Sequence, residues 1–471
     1  MDRRTFLGAG VAAGAAAYQG GRKNILLITA DDLGPMLSCY GETRIATPHM
    51  DKLAGSGVRF QTAYVTQASC SPSRSSMFTG LYPHGTGQYG LANTGFQLHT
   101  PLQQATIPNV LKRAGYRTGI IGKLHVEPEK TFQFDYSQRG QTRTVREAAG
   151  YAGKFMREGS DPFFLMMNFT DPHAQRFPDD ATKWFFPAQV EGLPEKPIAP
   201  SERTVFPFQG IDSEEQRERV ANYYNCVLRL DAGIGMLMEE LKRAGKEEDT
   251  VVLFVGDHGP PFARGKTSCY EGALRIPFLA RWPGVSKPVV SKALVSTVDL
   301  APTIYDAAGV QGPVKMHGRS LRPVLTGSTG GWREYLGGEF HFHGNNPFYP
   351  RRAIRDQRYK LIHNLLAGRA KPSTGIDGDS AFGQSRDAKY DGTPVRRAFD
   401  TFANPPEFEL YDLEKDPVEF QNLAGSAAGK AVEGRMKKAL DAWRKETEDP
   451  FVEPAFLEDM FKKGAPAARR G

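Results

Sequence analysis

The sequence predicts an α/β protein: a large, mostly parallel β-sheet sandwiched by helices, followed by a smaller C-terminal α+β unit with an antiparallel sheet and a helix. Continuous apolar runs of strand length recur along the first two thirds, helical patterns separate them, and after about Gly330 the spacing shortens. "NILLIT" (24–29) is the first run, without the alternation of a half-exposed strand, so it reads as a strand buried on both faces. "RTGIIG", "FFLMMNFT" and "TVVLFVGDHG" repeat the pattern, and helical periodicity fills 107–114, 145–156 and 213–244. Beyond Gly330, "YLGGEFHFH", "RRAIRDQRYKLIH" and "EFELYDLEKD" read as shorter antiparallel strands, with a terminal helix over 430–446. The Gly/Ser/Asp/Pro-rich stretch 371–406 is too long for a simple connection and reads as an ordered functional loop.

A chain of 471 residues suits one large domain with a smaller partner, and 40% hydrophobic with 24% charged residues is a globular balance. Cys39, Cys70, Cys226 and Cys269 lie far apart without a CxxC, which argues against a zinc site or a disulfide framework. Nothing resembles a nucleic-acid-binding module, and no nucleic-acid partner is expected. The net charge of +7 thickens around "RRAIRDQRYK" (351–360), either a solvated face or an attraction for an anionic ligand. The opening "MDRRTFLGAGVAAGAAA" (1–17) has paired Arg3 and Arg4, a short apolar run and an alanine-rich end. It resembles a twin-arginine export signal, recognised by the bacterial twin-arginine machinery. The mature chain is expected to begin near Tyr18, to be periplasmic or secreted, and to carry no integral membrane segment.

Polar clusters end three of the strand-like runs: Asp31-Asp32, Asp171-Pro172-His173 and Asp257-His258. In parallel sheets ligands gather beyond the carboxyl ends of the strands. Carboxylates brought together there repel, and a bound cation resolves the repulsion. Oxygen ligands favour calcium or magnesium, while His258 as a nitrogen donor leaves manganese open. Taken alone, Asp-Asp after a strand is more often a turn or a helix cap, and His125 or His173 alone a structural histidine. Lys123 and Lys266 would ordinarily be surface lysines, but beside such a cluster they, like Arg74, could bind an oxyanion.

The stretch "SCSPSRSSMFTG" (69–80) connects these residues. Cys70-Ser71-Pro72-Ser73-Arg74, running on to Thr79-Gly80, resembles the signature of the type I sulfatases. "LLITADDLG", "ATPHMDKLAGSGVRF", "GYRTGIIGKLH", "FVGDHG" and "GKTSCYEGALRIPFLARWPG" resemble family blocks in the expected order. The resemblance implies an alkaline-phosphatase-like fold, with a catalytic domain over 21–330 and a C-terminal subdomain over 331–471 that contributes to the substrate pocket. It also implies that a maturation enzyme oxidises Cys70 to formylglycine. Hydrated formylglycine carries two hydroxyls on one carbon: one attacks sulfur, and deprotonation of the other ejects sulfate and restores the aldehyde. By the same resemblance Asp31, Asp32, Asp257 and His258 hold one divalent ion, calcium first, while Arg74, Lys123 and Lys266 neutralise the sulfuryl oxygens. His125 takes a proton from the second hydroxyl, and His173 serves the leaving group. A helix is expected to begin near Ser73, with Pro72 and the serines keeping Cys70 extended and accessible before it.

Within the family, "SCSPSRSSMFTGLYPHGTGQYGL", "RTGIIGKLHVEPE", "RYKLIHNLL", "FELYDLEKDPVEFQNLA" and "WRKETEDPF" resemble the sulfamidase branch, which makes N-sulfoglucosamine the first substrate candidate. His258 and Lys266 follow the general sulfatase pattern where that branch carries asparagine and arginine, so N- and O-sulfate both stay open. "FYPRR" (348–352) and "GIDGD" (375–379) are expected to overhang the mouth of the site, with Arg352, Asp377 and Asp379 binding the sugar. The rivals are an O-sulfatase on a sulfated polysaccharide or glycosaminoglycan fragment and a phosphate or phosphonate ester hydrolase of the same superfamily. A non-catalytic sulfoglycan-binding protein would be signalled by loss of Cys70, Lys123 or His125, and all three are present.

Overall fold

The computed structural model describes residues 22–464 apart from 202, 203, 314 and 345, and the paired-arginine segment lies outside them. A mixed sheet of eight strands forms the centre, in the order Val289–Ser291, Val58–Phe60, Phe278–Arg281, Thr250–Gly256, Asn24–Ala30, Phe163–Phe169, Arg117–Ile121, Tyr136–Gln138. Only Phe278–Arg281 runs against its neighbours. The three central strands are buried at every residue, as their unbroken apolar runs require.

Alternate side chains of these strands feed two cores, because successive residues of a strand point to opposite faces. Ile25, Leu27, Phe164, Met166, Val251 and Leu253 pack with residues of helices Cys70–Thr79, Ile107–Arg113 and Leu300–Ala308. Leu26, Ile28, Leu165, Met167, Val252 and Phe254 pack with helices Pro48–Gly55, Val145–Arg157 and Glu214–Arg243. The long helix Glu214–Arg243 starts where Ser213 accepts a hydrogen bond from the Gln216 N–H and ends with Lys242 and Arg243, which suit its negative C-terminal end. None of the described helices is long and apolar enough to cross a membrane.

The C-terminal part is an antiparallel sheet of four strands, Leu336–Phe340, Arg351–Arg355, Tyr359–Asn364 and Phe408–Asp412. Helix Lys430–Glu446 lays Met436, Leu440 and Trp443 on Ile354, Leu361 and Leu410, and it is not the last helix as the sequence suggested, because Pro454–Lys463 follows it. Trp443 comes so close that a Cβ on Gly337 would stand 2.1 Å from its indole, so only glycine fits there. The 371–406 stretch is ordered and carries helices Ala381–Gln384 and Pro394–Ala403, which its Gly/Pro-rich composition hid.

Glu339 ties the C-terminal sheet to the helix Pro83–Thr86 and to the connection at Thr66. His84 Nδ1 lies 2.6 Å from Glu339 Oε2, and the Glu339 N–H donates to the Thr66 carbonyl. Arg352 corrects a sequence expectation. It is fully buried, gives a two-pronged pair of bonds to Asp449 at 2.7 and 2.8 Å, and stands 3.6 Å from Glu339, so it cannot overhang the site. Alternation explains the placement: Arg352 sits mid-strand on an inward position facing the turn after helix Lys430–Glu446, where Arg444 shares Asp449.

Removing one partner of a buried pair leaves the other charge uncompensated. Asp449→Ala is expected to destabilise the chain by about 3–5 kcal/mol, because two buried guanidiniums lose their carboxylate. Urea unfolding measures it, and a loss below about 1 kcal/mol would show that the pairs are not structural pins.

Candidate active site

The site lies beyond the carboxyl ends of the parallel strands. Asp31 and Asp32 follow Asn24–Ala30, Lys123 and His125 follow Arg117–Ile121, His173 follows Phe163–Phe169, and Asp257 and His258 follow Thr250–Gly256. Four strand ends therefore contribute, one more than the polar clusters in the sequence suggested. Gly122 makes the Lys123 turn possible: it has a φ of 84°, and a Cβ there would stand 2.3 Å from the Asn168 carbonyl. Asp32, His125, Thr267 and Asp377 also have positive φ values, of 65°, 54°, 71° and 42°. Such conformations persist in non-glycine residues where the surroundings enforce them.

Cys70 opens a helix, Cys70–Thr79, three residues earlier than the sequence reading placed it. Pro72 does not delay the start, because the first-turn N–H groups of a helix have no intrahelical partner to lose. All ten residues are buried, and the serines work as internal fasteners. Ser73 donates to the Asp257 carbonyl, Ser75 to the Pro72 carbonyl, and Ser71 accepts from the Ala92 N–H. Cys70 is held on the first turn with 2% of its surface exposed.

Its sulfur meets the carboxylate cluster directly: Sγ lies 3.3 Å from His258 Nε2 and 3.7 Å from Asp31 Oδ1. Ligand atoms of Asp31, Cys70, Asp257 and His258 lie within 4.8 Å of one another, and so do those of Asp31, Asp32, Cys70 and His173. Three cations brace the carboxylates. Lys123 Nζ is 2.8 Å from Asp31 Oδ2, Lys266 Nζ is 2.9 Å from Asp32 Oδ1, and Arg74 Nη2 is 3.0 Å from Asp257 Oδ2. Burial pushes the Cys70 thiol up, but the charges of Lys123, Lys266 and His258 bring it well below its ordinary value. His125 is kept neutral by burial and by the neighbouring Lys123 charge, within hydrogen-bonding reach of Cys70. His173 loses stability as a cation through burial, yet the charges of Asp32 and Asp31 raise it to about 9.

The cluster fits a divalent cation. Asp32 Oδ1 is met by the Lys266 ammonium, but Asp32 Oδ2 is buried and accepts no hydrogen bond, an arrangement that oxygen ligands of a metal show and structural carboxylates avoid. Burial and the Asp31 charge push Asp257 up to about 7, the repulsion that a cation between these groups relieves. A hard ion suits three carboxylates, with His258 as the nitrogen donor.

Of the residues assigned to sugar binding, one lies at the site. Asp377 Oδ2 is 3.2 Å from Lys266 Nζ, the ammonium that also meets Asp32. Asp379 is a correction: it is buried and accepts hydrogen bonds from Gln209, Gln216 and the Ala263 N–H, so it anchors the loop and does not reach into the site. Asp171 is likewise structural, held by the Arg229 fork at 2.7 and 2.8 Å, and it fixes the segment that presents His173.

Two site residues escaped the sequence reading. Asn168 Oδ1 accepts from Arg74 Nη1 at 2.8 Å and from Thr29 Oγ1 at 2.7 Å, which aims the guanidinium at the cluster. Its signal was the lone amide in the apolar run "FFLMMNF". His343 is bonded through Nδ1 to Ser69 Oγ at 3.0 Å, next to Cys70. "HFH" had been read into a strand that ends at Phe340, so nothing marked His343 as a loop residue.

Comparisons with known proteins place the chain in a family. A family model described as Sulfatase matches residues 23–310, and one described as N-sulphoglucosamine sulphohydrolase, C-terminal, matches 257–369. Human N-sulphoglucosamine sulphohydrolase is 31% identical over 488 residues, covering 91% of each chain. An ulvan-active sulfatase of Formosa agariphila is 29% identical, covering 92% of this chain and 82% of its own. A solved complex of a protein with its substrate D-glucosamine-2-N,6-O-disulfate superposes with a TM-score of 0.67 at 22% identity, over 91% of this chain and 98% of that one. With the Sulfatase model spanning more than half of its residues, the chain belongs to the sulfatase family of sulfuric ester hydrolases.

Proposed function

We propose that the chain hydrolyses sulfate from a sulfated sugar, with N-sulfoglucosamine as the first candidate, through a formylglycine made from Cys70. The observation that carries this reading is the meeting of Cys70 with the carboxylate cluster, its sulfur 3.3 Å from His258 Nε2 and 3.7 Å from Asp31 Oδ1. The match to the N-sulphoglucosamine sulphohydrolase C-terminal model and the 31% identity to the human sulphohydrolase support the N-sulfated sugar. His258 and Lys266, which follow the general sulfatase pattern, favour an O-sulfated saccharide as the second reading.

The formylglycine supplies a geminal diol, one hydroxyl of which attacks sulfur while the other, once deprotonated, expels sulfate and regenerates the aldehyde. Asp31, Asp32, Asp257 and His258 would hold a divalent ion, most simply calcium, which would supply positive charge to a sulfate oxygen and acidity to the attacking hydroxyl. Arg74, Lys123 and Lys266 face the same space and balance the sulfuryl charge without reorganising. Neutral His125, in reach of position 70, can take the proton from the second hydroxyl. His173 stands 3.8 Å from Asp32 Oδ2 through Nε2 and keeps a fifth of its side chain exposed, which suits proton donation to the leaving nitrogen or oxygen. Export through a twin-arginine route and a maturation enzyme acting on Cys70 complete the proposal, with a catalytic unit over 21–330 and a C-terminal unit over 331–471 that lends Asp377 to the pocket.

Co-expression with a formylglycine-generating enzyme should make the Cys70 peptide lighter by about 18 Da, thiol having been exchanged for aldehyde oxygen. Cys70→Ala should lower turnover by at least about a thousandfold with the fold intact. Unmodified cysteine in a fully active preparation would sink the mechanism.

Elemental analysis should find one divalent ion per chain, lost in Asp257→Ala together with turnover. Ion at about 100 times its dissociation constant should stabilise the native protein by roughly 2.7 kcal/mol, and that gain should vanish in the variant. Full activity after verified removal of the ion would refute the assignment.

Product analysis on N-sulfated and O-sulfated glucosamine decides the substrate. Sulfate release from the N-sulfated sugar with free glucosamine as co-product is the expected result, and release from the O-sulfated sugar alone selects the second reading.

A further inference from the structure

His343 is a polar side chain placed in the catalytic ring with no part in the chemistry. It lies three residues beyond strand Leu336–Phe340, in the C-terminal part of the chain, yet its Nδ1 is fixed 3.0 Å from Ser69 Oγ, one residue before the nucleophile. The imidazole is therefore held in register with Cys70. Its Nε2 makes no hydrogen bond among the described residues and is not one of the sealed polar atoms, while 9% of the residue stays exposed. Lys266, Cys70, Asp377 and His258 are near enough for their charges to act on the ring.

Three fixed cations already face the space where a sulfate would sit. Burial and the Lys266 charge keep His343 neutral, pushing it down to about 3. A neutral imidazole adds little against the negative oxygens of sulfate but can bond a hydroxyl as donor or acceptor. Asp377 stands nearby, with Oδ2 on Lys266 and no hydrogen bond to Oδ1 among the described residues, so a neutral group and an acceptor line the same wall. Sugar hydroxyls ask for this pairing, and a small aryl sulfate has nothing to offer it.

We propose that His343 is a specificity-determining residue whose Nε2 hydrogen-bonds the sugar hydroxyl nearest the scissile sulfate along the ring. For N-sulfoglucosamine at a non-reducing end, whose C1 oxygen is in the glycosidic bond, that is the C3 hydroxyl, and for a 6-O-sulfated glucosamine it is the C4 hydroxyl. The inference rests on the sulfated-sugar reading and deepens it.

A kinetic cycle tests it. His343→Ala and His343→Gln are each assayed on N-sulfoglucosamine, or on whichever sulfated glucosamine the wild type turns over, and on the analogue with the neighbouring hydroxyl replaced by hydrogen. Each single change should lower kcat/KM by about 10–100-fold, since a hydrogen-bonding site discriminates strongly against a missing partner. Both changes together should cost no more than about threefold beyond the larger single loss, because they delete one interaction. The ratio of kcat/KM for the sugar to that for 4-nitrophenyl sulfate should fall at least about tenfold in either variant. Losses that multiply, or an unchanged ratio, overturn the role of His343 while leaving the sugar reading in place. Turnover of the aryl sulfate but of no sulfated sugar by the wild type overturns the reading and this inference with it. Thermal unfolding verifies that each variant is folded, and the Gln variant alone suffices for the cycle if the Ala variant is not.

Discussion

Three carboxylates and three cations packed into one buried space form the constraint on which the molecule depends. Asp31, Asp32 and Asp257 are almost wholly removed from water, and so are Arg74 and Lys266. Charges in such a place are expensive to bury and persist only where geometry is enforced around them. Parallel strands provide that geometry, because they deliver their carboxyl ends to one edge and each strand end is then fixed by its neighbours. The Asp32 N–H donates to Asp257 Oδ1 across two adjacent strand ends, so the sheet register sets the spacing of the cluster.

The same chain uses carboxylates in a second way, and hydrogen bonding separates the two. Asp171, Asp379 and Asp449 are saturated by arginines, amides and backbone N–H groups, and they pin loops to helices. Asp32 is as deeply buried, yet its Oδ2 accepts no hydrogen bond and its Oδ1 is met by an ammonium, that of Lys266. A saturated carboxylate has no capacity left for a ligand, whereas an unsaturated one is stable only if something else meets it. Asp379 shows how the two kinds cooperate: two residues earlier in the same loop, Asp377 is carried to Lys266.

The central sheet was legible in the sequence because strands buried on both faces must be apolar throughout, and the helix Lys430–Glu446 was legible from its period, though not the helix Pro454–Lys463 that follows it. Asp31, Asp32, Cys70, Arg74, Lys123, Asp257, His258 and Lys266 could be named because they sit in short, specific blocks, and the fold brings them together. Arg352 and Asp379 could not be placed this way. A charged residue in a loop or short strand reads the same whether its partner is solvent, substrate or a carboxylate 97 residues away, as Asp449 is from Arg352. His343 and Asn168 escaped for the opposite reason, since each looks like a minor polar interruption in an apolar stretch until the tertiary contacts are known.

The burial of Cys70 also sets an order of events in the life of the chain. In the native state its thiol lies on the first turn of a helix whose ten residues are all buried, closed over by strand ends from distant parts of the sequence. Another protein's active site could not reach it without undoing the sheet, and global unfolding is rare on the timescale of maturation. Any enzyme that acts on this residue competes with the helix for the same segment, and the competition is settled by rates. If Cys70 is the precursor of the proposed formylglycine, chains that fold first would be kinetically trapped with an intact thiol, stable and inactive together. The proportion of working molecules would then be a record of how fast the segment was modified, fixed when the chain was made and not adjustable afterwards.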